Sequence, residues 1–89
     1  MRELYIDTME AQGEDGAGHS FQYFILVDQM EMGNGLACES YGVKAVSQTE
    51  EAAIPNITVS AARIDELVEL LKRNAVSPTQ LRDVVDDWL

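Results

Sequence analysis

Residues 20–30, SFQYFILVDQM, constrain this chain more than any other stretch. They are dense in aromatic and β-branched side chains, which favour a pleated strand. Successive side chains on a strand point to opposite faces, so Phe21, Tyr23, Ile25 and Val27 share one face and Phe24 and Leu26 take the other. A strand that is apolar on both faces is the centre of a sheet, or belongs to a sheet whose second face meets another surface. A chain of 89 residues holds one modest core. The expectation is a single domain over residues 1–89.

The flanking segments read as partners for that strand. RELYIDTMEAQ, a strand over about residues 2–11, alternates Leu4, Ile6 and Thr8 with Tyr5, Asp7 and Met9. The glycine-rich GEDGAGH that follows is a turn or short loop. After the strand at 20–30, EMGNG is a second turn, and its Asn34-Gly35 pair is a hairpin signal because both residues tolerate positive φ. LACESYGVKAVSQ returns as a third strand over about 36–47. Gly42 in its middle marks a bulge, a bend or a close backbone approach. Pro55 holds Ile54 extended, so residues 56–59 form a short edge strand near Ile57 or lead directly into a helix.

The last third is helical. SAARIDELVELLKRNA predicts a helix over about 61–74, capped by Ser60, with Val59 as a staple against Ile64. Ile64, Leu67, Val68, Leu71 and Ala75 form one stripe, and Lys72 and Arg73 suit the negative end of the helix dipole. VSPTQLRDVVDDWL predicts a second helix over about 78–88. Ser77 is its cap, Pro78 its first residue and Gln80 the partner that completes a capping box. Its stripe is Leu81, Val84, Val85 and Trp88. The expected fold is therefore α+β: a three-stranded antiparallel meander, with a fourth edge strand left open, packed against two C-terminal helices. The expected core is Leu4, Ile6, Ile25, Val27, Val43, Ile64, Leu67, Val68, Leu71, Leu81, Val85 and Trp88. A register slip of one residue would exchange the two faces of any strand.

Charge narrows the function. Sixteen acids against six bases leave a net charge of −10, and residues 1–59 carry ten acids against only Arg2 and Lys44. Such a chain repels phosphate backbones and anionic membranes, so neither nucleic acid nor a membrane is an expected partner. The second helix, with Asp83, Asp86 and Asp87 against Arg82, lacks the basic row of a nucleic-acid reader. Those aspartates lack the converging geometry of a cation site and read as a solvated face. His19 reads as a turn histidine, since Ser20 beside it on an extended strand points to the opposite face. Cys38, whose neighbours Glu39 and Ser40 offer no positive charge, reads as a small buried hydrophobe, and no GxSxG or phosphate loop is present. No catalytic, metal or cofactor residue is assigned. The single cysteine forms no internal disulfide, and no apolar run has the length of a leader or a membrane span, so the expected location is cytoplasmic.

The remaining signal is apolar surface. Two helices cover one face of a sheet. The other is then left with Phe21, Tyr23, Ile25 and Val27, or alternatively with Phe24 and Leu26, and Tyr5 and Tyr41 join whichever group points outward. The candidate interface is Tyr5, Phe21, Tyr23, Phe24, Leu26 and Tyr41. The first functional expectation is a non-enzymatic protein–protein interaction module, homodimeric through the helix-free face. The alternatives are an acidic regulatory or antitoxin-like protein that binds a basic partner, and a small enzyme or divalent-metal binder.

YGVK in a strand, together with the terminal VSPTQLRDVVDDWL, resembles a small family of uncharacterised proteins from Gram-positive, clostridia-type bacteria. Its members are similar in length, in an N-terminal strand like ELYIDTME, in a Tyr-Phe-rich second strand and in the Tyr41-Gly42 pair. They also share an ending that corresponds here to Val76, Ser77, Pro78, Leu81, Asp83, Val84, Asp87, Trp88 and Leu89. The resemblance covers nearly the whole chain. It implies the architecture and no activity, cofactor or catalytic residue.

Overall fold

The computed structural model describes residues 1–12, 16, 18–31 and 33–89. Among the described residues four strands precede two helices: β1 (Arg2–Gln12), β2 (Gly18–Glu31), β3 (Ala37–Val46), β4 (Glu51–Thr58), α1 (Ala61–Arg73) and α2 (Leu81–Trp88). The strands form one antiparallel sheet in the order β1-β2-β3-β4. The fourth strand left open by the sequence is present and starts at Glu51, well before residues 56–59. None of the helices is long and apolar enough to cross a membrane, among the described residues.

Local chemistry closes each connection. The first glycine turn falls mostly outside the described residues. Between β2 and β3 the pairing closes at Glu31 and Ala37. Asn34 accepts the Leu36 N–H at 3.2 Å, and Gly35 takes a φ of 84°, a conformation that glycine adopts at no steric cost. Between β3 and β4 the Ser47 hydroxyl accepts the Glu50 N–H at 3.1 Å, while the Ser47 N–H donates to Glu50 O at 2.8 Å.

Helix α1 starts as the sequence predicts, with the Ser60 hydroxyl accepting the Arg63 N–H at 3.2 Å. The expected staple is absent: Val59 is 62% exposed and points away from the core. The helix ends in a Schellman turn. The Val76 N–H donates to Leu71 O at 3.1 Å and the Ala75 N–H to Lys72 O at 3.2 Å. This places Ala75 in the left-handed region, at φ 46°, where its Cβ is strained. Ala75→Gly is therefore expected to stabilise the protein, by roughly 0.5–1 kcal/mol, in urea unfolding monitored by circular dichroism.

Helix α2 begins later than expected, at Leu81 instead of about residue 78, because residues 78–80 form a turn. The Gln80 N–H donates to Ser77 O at 3.0 Å, and the Gln80 side chain accepts the Ser77 N–H at 3.3 Å. The Ser77 hydroxyl meets Thr79 at 2.9 Å instead of capping the helix, so only half of the capping box forms.

The helices lie over β2, β3 and β4. They cover Tyr23, Ile25 and Val27 of β2 and Val43 and Ala45 of β3 with Ile64, Leu67, Val68, Leu71, Val76, Leu81 and Val85. Three expected core residues differ. Leu4 shares this face by pairing with Ile25, yet it is 45% exposed near the start of the edge strand β1. Ile6 and Trp88 pack against the core but stay half-buried, and the Arg63 guanidinium lies 4.3 Å from the Trp88 ring centroid. Trp88→Ala is expected to cost about 2 kcal/mol, below the figure for a fully buried tryptophan, as read by thermal denaturation.

Candidate functional site

The helix-free face is set by register. Tyr5 pairs with Phe24, Phe24 with Lys44 and Lys44 with Ala53, so these four side chains form one row across the sheet. Glu3, Leu26 and Gly42 form the adjacent row. Tyr5 is 56% exposed, and its ring meets Phe24 edge-on, with centroids 5.7 Å apart and planes at 65°. The Tyr5 hydroxyl is hydrogen-bonded to Thr8, which orients the ring.

Lys44 closes the other side of Phe24. Its ammonium lies 5.3 Å from the ring centroid. It also bridges Glu3 at 2.6 Å and Glu51 at 3.1 Å, carboxylates from opposite edges of the sheet. The hydrogen bond to Glu3, and next that to Glu51, hold the Lys44 ammonium above its usual pKa and keep it charged. One lysine thereby ties β1, β3 and β4 together across the face. Nothing local in the sequence marks this triad, since it depends on pairings between strands. The only hint was that Lys44 is the sole lysine before residue 60.

The six candidate interface residues divide between the faces. Tyr5, Phe24 and Leu26 lie on the helix-free side, as one of the two alternatives expected. Phe21, Tyr23 and Tyr41 lie on the helix side, which corrects their inclusion in an outward set. Tyr23 is fully buried, and its hydroxyl donates to Val76 O at 2.7 Å in the turn between the helices. Tyr41 and Phe21 are half-buried against the core. Phe21 lies parallel to His19, with centroids 6.5 Å apart, and His19 itself is exposed. Leu26 is only 3% exposed despite its outward direction. Its partner Gly42 has no side chain, and the Ile54–Pro55 backbone folds over the sheet at that point, beside Leu26.

Two open grooves lie at the far end of the sheet. One, about 530 Å³, runs between the root of the β1–β2 hairpin, the Ser47–Glu50 turn and the Ser77–Thr79 turn. The hydroxyls of Ser47, Ser77 and Thr79 are engaged in those turns, Ser47 with backbone and Ser77 with Thr79. The second, about 480 Å³, is lined by Glu10, Gln12, His19 and Gln48 among others. Asp83, Asp86 and Asp87 are exposed on α2. Among the described residues no group of three or more His, Cys, Asp or Glu side chains is placed to hold a metal ion.

A family model described as a family of unknown function, DUF6514, matches residues 2–89. No curated protein and no solved structure matches the chain.

Proposed function

The chain belongs to the DUF6514 family, a family of unknown function, and from that premise we propose that it is a non-enzymatic protein–protein interaction module using the helix-free face of its sheet. The observation that carries this reading is the exposed Tyr5 ring, held edge-on to Phe24 and tethered to Thr8. A pre-oriented tyrosine contributes large contact area at little entropic cost and keeps a polar tip for a wet rim. A two-fold homodimer through this face is one form of the proposal. Sedimentation equilibrium at micromolar concentration tests it: self-association weakened about tenfold by Tyr5→Ser is the expected result. A strict monomer removes the homodimer.

The net charge of −10 favours a second form, an acidic regulatory or antitoxin-like protein that engages a basic partner. Capture from host lysate at low and high salt then yields a partner retained only at low salt. A monomer that retains nothing at either salt concentration sinks both forms. A cytoplasmic location and a Gram-positive, clostridia-type source belong to this same proposal.

A further inference from the structure

The two edges of the sheet are built differently. The β4 edge is blocked. Pro55 has no N–H to offer, and Pro55, Asn56 and Ile57 all bulge opposite the single residue Gly42, with Asn56 at φ 57°. The β1 edge has neither proline nor glycine from Arg2 to Gln12. Its register shifts once, between Tyr5 and Asp7, and then runs unbroken from Asp7↔Tyr23 to Gln12↔Gly18. Ile6 and Met9 pack against the core and Lys72 reaches Asp7, but the outer edge of this strand is unpaired. A stretch of extended backbone therefore presents its free N–H and C=O groups to any strand that can lie beside it, over about 20 Å.

The side chains of that edge select what can approach. Asp7 faces the helix side and is half engaged by Lys72 at 3.5 Å. Glu10 is exposed and takes part in no ion pair among the described residues. A second copy of this chain paired at this edge would bring these carboxylates toward their own kind. Like charges directly opposite on neighbouring strands are destabilising. Asp7 and Glu10 lie on opposite faces of the strand, so an extended segment with lysine or arginine at alternate positions meets the backbone and, on the helix-free face, the Glu10 carboxylate. We propose that the β1 edge at Asp7–Gln12 is a strand-addition site for an extended basic segment of another protein. The added strand continues the face that carries Tyr5, so the inference rests on the interaction-module reading and specifies its partner.

The probe is a capped synthetic peptide of alternating lysine and valine, titrated into the isotope-labelled protein. Residue-resolved hydrogen exchange is followed at low and high ionic strength. The expected result is slowed exchange confined to Asp7–Gln12, with affinity falling about fivefold in Glu10→Lys and further with added salt. The same peptide with proline at alternate positions is expected not to bind. Glu10 is exposed, so Glu10→Lys leaves the fold intact and its circular dichroism unchanged. Failure to bind overturns the inference, as does binding that leaves β1 exchange unchanged. Binding that perturbs the Phe24 and Tyr5 rings without protecting β1 overturns the edge site while the interaction-module reading stands. Protection of β1 with no change in Tyr5→Ser leaves the edge site standing and removes the face.

Discussion

Replacing Gly42 by alanine is expected to destabilise the protein by about 3 kcal/mol or more, a fall of roughly 15 °C in Tm, or to prevent folding outright. A Cβ at this position would lie 2.5 Å from Pro55 Cα and closer still to the Ile54 carbonyl oxygen. Both obstacles are backbone, so no rotamer change relieves the clash, and β4 would have to lift off the sheet. Lifting β4 also breaks the bridge from Lys44 to Glu51 and uncovers Leu26. Gly18→Ala is the matched control. A Cβ there meets nothing within 4 Å and φ is ordinary, so the expected change stays within about 0.5 kcal/mol. Equal effects of the two substitutions in urea unfolding would show that Gly42 is needed only for its flexibility.

Tyr23→Phe is expected to cost about 1–3 kcal/mol, because the ring stays and only the bond to Val76 O is lost, leaving a buried carbonyl unsatisfied. Tyr23→Ala removes the whole side chain and is expected to cost about 4 kcal/mol or more. The tyrosine also carries a pH signature. Burial pushes its phenol up to about 12, against an unfolded value of about 10. The folded state then holds its proton where the unfolded state has released it. The contribution, on the order of 2–3 kcal/mol, is fully present below about pH 10 and is lost as pH rises toward 12. Tyr23→Phe should flatten this alkaline limb of the stability profile. A profile unchanged between pH 10 and pH 12 would show that Tyr23 is not the group responsible.

Much of the architecture could be read locally. The Ile64, Leu67, Val68 and Leu71 stripe and the Ser60 cap lie within one helix, so periodicity alone located them. The central place of β2, between β1 and β3, followed from its two apolar faces. The same property hid which face is which. Phe24 and Leu26 balance Tyr23 and Ile25 by hydrophobicity, and the faces separate only through partners elsewhere in the chain: Val43 and Ala45 beside Tyr23 and Ile25, Lys44 and Gly42 beside Phe24 and Leu26, and Val76 O for the Tyr23 hydroxyl. Leu4 has the right parity and the wrong position, near the start of the edge strand β1. The start of α2 was misplaced because Ser77-Pro78 serves a tight turn as well as a helix cap. Within the candidate site Tyr5 and Phe24 were legible as aromatic residues of one face. The Glu3–Lys44–Glu51 bridge was not, because it exists only once three pairings are in register.

Chain order gives the covering of the sheet a kinetic meaning. Both helices follow all four strands, and each strand pairs with its neighbour in sequence. During vectorial synthesis the meander has every pairing partner available before either helix has left the ribosome. In that interval Tyr23, Ile25, Val27, Val43 and Ala45 face water on a sheet still lacking its lid, a state prone to adhesion. Any delay between the emergence of β4 and that of the helices would prolong it, so chaperone demand for this protein should concentrate on chains held in that interval.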